Sequence, residues 1–292
     1  MDSGDLGHDL GHDLDPRYRA VLATTESFLV THPGNWSALD LAPFGVAVRE
    51  ARRYAATSLR SREIVDGLHH LDALTFGDQG LLMPRWVLFD CGAFPGVVYG
   101  FGRRSGDLPD RVRAQSRTLD RDDVFVPLSM WIAVRCAEEG AWFGHNLASA
   151  NLLLDGADRL PGLATLTKAL GVRLARARLQ YGATQWKSDS LALHLRFGDM
   201  HLLSAFTPAH TYPETLAYRI DVDEARLRGC LRAGFRQPLV PAERVLDADD
   251  SAGILALHRE IEDGARWRLV RAERAARGAS GQRLHLARSP AP

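Results

Sequence analysis

From residue 83 to residue 222 the hydrophobic period of the chain changes repeatedly, and this alternation restricts the fold more than any other feature. MPRWVLFDCG (83–92) and AFPGVVYGFGRR (93–104) are short, apolar and β-rich, and the Pro-Gly between them predicts a hairpin. A polar stretch, 104–123, reads as a loop or short helix. FVPLSMWIAVRCAEEG (125–140) and AWFGHNLASANLLLD (141–155) read as two strands joined by a turn at Glu138-Glu139-Gly140. Leu166, Leu170, Leu174 and Ala177 then recur at helical spacing, predicting a helix over 164–182 that Gly182 ends. A short strand (183–186), a helix (187–199) and two strands (200–211, 214–222) complete the order. Four strands followed by helix, strand, helix and two strands make a mixed α/β order.

The flanks have a different character. Helices are expected over 16–30, 46–60, 62–74 and 250–278, the last strongly amphipathic. Residues 1–15 hold the repeat DLGHDLGHDLD and read as a disordered tail; the spacing of His8 and His12 also admits a metal, but a solvated end is the plainer reading. Residues 279–292 have tail composition. The expected division is a tail (1–15), a core with an N-terminal helical extension (16–222), a C-terminal helical extension (223–278) and a flexible end (279–292).

Composition excludes several classes. With 36 basic and 36 acidic residues in 292, there is no global charge for nucleic acid or an anionic membrane. All basic residues except Lys168 and Lys187 are arginine, as a GC-rich, bacterial-type genome would encode. Cys91, Cys136 and Cys230 are far apart and odd in number, so neither a disulfide framework nor a zinc site is expected, and a cytoplasmic setting fits. No apolar run reaches eighteen residues and the start lacks a signal-peptide pattern, so no membrane role is expected. G-x-S-x-G, H-E-x-x-H and the P-loop pattern are absent.

One motif carries chemistry. Arg159-Leu160-Pro161-Gly162-Leu163-Ala164 matches R-x-x-G-x-A and stands between a predicted strand and the clearest helix. The first turn of a helix has unpaired N–H groups and a partial positive charge, and a pyrophosphate can sit there if no side chain blocks it. Gly162 and Ala164 keep the approach open, Thr165 and Thr167 add hydroxyls, and Arg159 adds charge.

The motif in this order of elements resembles the GCN5-related N-acetyltransferases. The resemblance spans roughly residues 46–222. It implies a mixed α/β (α+β) fold with a largely antiparallel central sheet flanked by helices, and that Arg159, Gly162, Leu163, Ala164, Thr165 and Thr167 hold acetyl-CoA or another acyl-CoA as co-substrate, with no metal expected. KSDSLALHLRFGD (187–199) aligns with the family's late helix; Gly198 matches its glycine, while Lys187 or Ser188 replaces the usual Asn and Gly198-Asp199 the usual Gly-Phe. His194 falls where the family often has a tyrosine that protonates the leaving thiolate. His145, in WFGHN, is a base candidate because imidazole titrates near neutral pH. Glu138 and Glu139 are rivals for that role, and His210 is a further candidate; a purely structural role is the competing reading for each.

The implied activity is acyl transfer from CoA to an amine of a small molecule or peptide. The alternatives are a non-catalytic acyl-CoA sensor of the same fold and a thioesterase-like hydrolase. The flanking helices would cap the acceptor pocket or make a homodimer contact.

Overall fold

The computed structural model describes residues 13–43, 52–55, 58–80, 82–93, 95–203, 215–274 and 281–289. The chain divides into two compact units. The first takes in residues up to 137, then 144–177 and 231–234; the second takes in 138–143, 178–230 and 235 onward.

The first unit is a mixed, mostly antiparallel sheet between helices. Helix α1 (Pro16–Thr24) opens it, with Pro16 in its first turn and the Asp15 carboxylate accepting from the Arg17 N–H at 3.0 Å. The helix expected to run to residue 30 stops at Thr24. Thr24 and Thr25 turn their hydroxyls back onto the carbonyls of Ala20 and Val21, and strand β1 (Glu26–Thr31) follows. Strand β2 (Arg52–Tyr54) lies parallel to β1, inside the helix expected over 46–60; the remainder of that expectation falls partly outside the described residues.

Helix α2 (Arg62–Phe76) buries Ile64, Leu68, Leu71 and Asp72. The next stretch, expected as the first arm of a hairpin, is instead helix α3 (Trp86–Ala93). Val87, Leu88 and Cys91 are buried there while Trp86 and Phe89 are exposed, a helical division that an unbroken apolar run conceals. Strand β3 (Gly96–Arg104), helix α4 (Asp110–Gln115), strand β4 (Phe125–Arg135), strand β5 (Ala141–Ser149) and helix α5 (Leu163–Leu174) complete the unit. Its strand order is β2-β1-β3-β4-β5. β3 and β4 are buried without alternation over most of their length, as strands covered on both faces must be.

α5 ends at Leu174, eight residues before Gly182. The Ala177 N–H reaches the Val172 carbonyl at 3.1 Å and Arg176 takes a left-handed conformation (φ +50°), closing the helix. Gly182 lies inside the next strand.

The second unit holds strand β6 (Leu179–Gln185), helix α6 (Ser190–His194), strands β7 (Gly198–Leu203) and β8 (Thr215–Val222), helix α7 (Glu224–Gly229), strand β9 (Arg244–Asp247), helix α8 (Ser251–Glu262), and strands β10 (Trp267–Arg274) and β11 (Gln282–Arg288). Its strand order is β6-β8-β7-β10-β11-β9, and the pairings along it are antiparallel. α6 is much shorter than the helix expected over 187–199, because Gly198 already begins β7. The helix expected over 250–278 is α8 followed by β10. The stretch expected as a flexible end contains β11, paired on both sides. Among the described residues no helix is long and apolar enough to cross a membrane.

Two measurements test this packing. Gly171 of α5 sits against the Trp131 indole of β4, and a Cβ there would overlap Trp131 Cε3. Gly171→Ala is expected to cost about 1–3 kcal/mol in a denaturant melt, since a fully buried indole cannot step aside. In the second unit His258 is fully buried with its ring edge-on to Trp186 at 5.7 Å, and burial lowers its pKa from the ordinary 6.5 against the opposing charge of Glu262. A lowered folded pKa means that stability is full above about pH 6.5 and falls as pH drops through that value, until the folded group also titrates. Melts across this range should show the loss, and His258→Phe should flatten it.

Candidate functional site

The R-x-x-G-x-A segment forms the turn into α5. Gly162 is the N-cap residue in a left-handed conformation (φ +83°). A side chain there is strained by the backbone alone. A Cβ would also lie 2.5 Å from Cε1 of Tyr18, a fully buried residue of α1. The glycine is therefore required by packing as well as by any open approach. Asn151 ties the preceding turn down, its Oδ1 accepting the Leu160 N–H at 2.8 Å. The Leu163 N–H is taken by the Leu160 carbonyl at 3.1 Å, and the Leu166 N–H by Gly162 at 2.9 Å. Between them, no side chain caps the first-turn N–H groups of Ala164 and Thr165 among the described residues. Arg159 is exposed beside this turn.

The two threonines differ. Thr165 is nearly buried in the first turn. Thr167 is fully buried, its hydroxyl donating to the Leu163 carbonyl at 2.8 Å and lying 2.7 Å from Ser129 Oγ of β4. Its hydroxyl thus holds α5 to the sheet. The next residue, Lys168, is also fully buried, and burial pushes its ammonium pKa well down.

His145 lies exposed on β5 in the first unit. Its neighbour Asn146 donates through Nδ2 to Asp72 Oδ1 at 2.5 Å, while the Met83 N–H donates to Asp72 Oδ2 at 2.7 Å. Asp72 is 1 % exposed; burial raises its pKa, opposed by those two hydrogen bonds and by the nearby His69 and His145. The pattern Ile64, Leu68, Asp72 puts a carboxylate in register with the apolar stripe of α2, and that spacing was the available signal for it.

The other two residues expected to act in catalysis belong to the second unit. His194 ends α6 nearly buried, its ring tilted 35° against Tyr218 at 5.5 Å. Burial raises the Tyr218 pKa far above the ordinary phenol value. Glu139 is in the turn before β5 with its side chain 86 % exposed, 3.7 Å from Arg178. Glu138 beside it accepts from the Tyr181 hydroxyl at 3.1 Å. Asp199, which stands where the resemblance leads to Phe, pairs with Arg226 at 2.7 Å and Arg268 at 2.8 Å. His210 lies outside the described residues.

The first unit also holds a cavity of about 460 Å³ among α2, α4, the start of β4 and the turn after β5. Its floor is apolar and its rim carries arginines, Glu63, Asp66 and His70. Burial and the Arg117 charge lower the His70 pKa.

No family model matches the chain, and no curated protein matches it in sequence. Solved structures do. One is a Desulfovibrio desulfuricans protein assigned to the GNAT family as an acetyltransferase: 15% identity, TM-score 0.35, covering 56% of this chain and 95% of that one. Another is nourseothricin acetyltransferase: 12% identity, TM-score 0.24, covering 44% of this chain and 65% of that one. Both overlaps are loose.

Asp72→Ala would leave the buried Met83 N–H and the half-buried Asn146 amide without their acceptor. The expected cost is about 2–3 kcal/mol in a urea melt. Asp72→Asn, which keeps an acceptor oxygen, should cost less.

Proposed function

We propose that the chain is an acyl-CoA-dependent acyltransferase that moves an acetyl or other acyl group to an amine of a small molecule or peptide. The observation that carries this reading is the mouth of α5. Gly162 turns the chain without supplying a side-chain cap, and the N–H groups of Ala164 and Thr165 face the helix entrance beside an exposed Arg159. A diphosphate fits that donor set, since helix N-termini with free N–H groups bind anions. The order of elements supports it: β5, the R-x-x-G-x-A turn, α5, β6, α6, β7 and β8 follow one another as the resemblance to GCN5-related N-acetyltransferases implies.

In this reading Arg159, Ala164 and Thr165 hold the diphosphate of acetyl-CoA or a longer acyl-CoA, whose thioester supplies the activated acyl group. Leu163 and Thr167 keep α5 in place, one through the turn and the other through Ser129. The acceptor amine must lose a proton to attack, and His145, exposed on β5, is the imidazole for that role. Glu139 is the rival base. His194 returns a proton to the leaving thiolate. No metal has a part, and the protein works in the cytoplasm, with a homodimer as the form that the terminal elements would build.

Ala164→Asp separates fold from binding. A carboxylate in the first turn of a helix complements its dipole, so the variant should melt no lower than wild type. The same charge repels a diphosphate. Acetyl-CoA, longer acyl-CoAs and CoA should each raise the melting temperature of wild type, as a ligand of the folded state must, and should leave Ala164→Asp unmoved. No shift in wild type with any of them overturns the reading. A shift without release of CoA in the presence of amines would favour the non-catalytic sensor, and release that ignores amines the thioesterase.

A further inference from the structure

The cavity of the first unit has no part in the reading above. Its floor is built from β4 and α2: Val126, Leu128 and Leu71 are buried there. β4 carries a bulge at this end. Ser129 pairs with Phe101 and Pro127 with Gly102, which leaves Leu128 as the extra residue. A bulge re-aims side chains and is common next to binding sites.

The rim is unevenly charged. Arg62 lies 3.8 Å from Asp66, and Arg121 pairs with Glu63. Both acids of the rim are thereby engaged. Arg60 and Arg117 also line the cavity, and among the described residues no carboxylate pairs with either. His70, neutral or cationic, supplies no counter-charge to them, and burial and the Arg117 charge lower its pKa.

Arg117 has a second distinction. It follows α4 in a left-handed conformation (φ +56°), with its own N–H on the Ala114 carbonyl at 3.1 Å and the Thr118 N–H on the Arg113 carbonyl at 2.8 Å. Glycine is the usual residue at such a helix end, and any side chain there is strained. The strained position is held by an exposed arginine that is one of the residues lining the cavity.

We propose that this cavity binds a small molecule with a carboxylate or phosphate head on an apolar body. Arg60 and Arg117 hold the head, and Leu71, Val126 and Leu128 receive the body. The size suits a small ligand, and an arginine fork matches either oxyanion. The site stands whether or not the chain transfers acyl groups.

Isothermal titration of the full chain with octanoate, octyl phosphate, 1-octanol and octylamine, each below its micelle concentration, tests this. Octanoate or octyl phosphate should bind saturably at one site, the tighter of the two identifying the head, with octanol and octylamine clearly weaker. Arg117→Gly suits its backbone conformation better than arginine and should melt at least as high as wild type, yet bind the anion about tenfold more weakly. Arg176→Gly makes the same change after α5, outside the cavity, and should bind as wild type does. Equal binding of octanol and octanoate, wild-type affinity in Arg117→Gly, or no binding of either anion at millimolar concentration would each overturn the proposal.

Discussion

Helix α5 can lie on β4 only because Gly171 leaves room for the Trp131 indole, and the geometry of the candidate site depends on that contact. The Thr167 hydroxyl adds a buried hydrogen bond to Ser129 one turn earlier. At the far end the Asp40 N–H donates to the Leu174 carbonyl at 2.8 Å, and the Asp40 carboxylate lies 3.3 Å from Arg173. A helix fixed at three levels, twice to the buried strand β4 and once to Asp40, has little freedom to tilt. Its first turn is therefore held in place, and with it the N–H groups of Ala164 and Thr165.

The entrance to α5 is fixed from the other side by α1. Tyr18 fills the space that a side chain on residue 162 would need, so the turn, the helix and α1 must fit together. Asp72 does comparable work for α2, drawing the Met83 backbone and Asn146 of β5 to one carboxylate. Buried polar groups tolerate few alternative arrangements, because each donor left without its acceptor costs free energy. Close backbone packing at Gly171 and Gly162 and a few saturated polar groups thus place the elements of the first unit.

Much of the middle of the chain was legible. β4, β5 and β8 were found as strands, the turn at Glu138–Gly140 as a turn, and α5 with its preceding R-x-x-G-x-A segment as a helix entered by a glycine. These segments have strong, clean periods or turn chemistry. Errors fell where the period was ambiguous. Residues 86–93 are apolar nearly throughout, so only the exposure of Trp86 and Phe89 separates helix from strand. Over 16–30 a helix runs into a strand with no glycine or proline between them, so the helical period extends too far, whereas over 250–278 Gly264 (φ +96°) is the breaker that closes α8 before β10. At the candidate site the helix mouth was visible because glycine and alanine stand at its entrance. Asp72 is marked in the sequence only by its spacing of four from Leu68, and Arg117 has no sequence signal, since a backbone angle and a cavity single it out.

By itself the sequence determined which segments could be helices or strands, where the chain must turn, and that one helix begins with an uncapped, small-residue mouth. Those follow from side-chain period and from the steric freedom of glycine, both local properties. Only the tertiary structure decided that Thr167 spends its hydroxyl in the core, that Gly162 answers to Tyr18, that Glu139 is a solvated turn residue, and that Arg60 and Arg117 line one cavity with Leu71, Val126 and Leu128. Each of these depends on residues far apart in the chain, and the free energy of burial or pairing that settles them exists only once those residues have met.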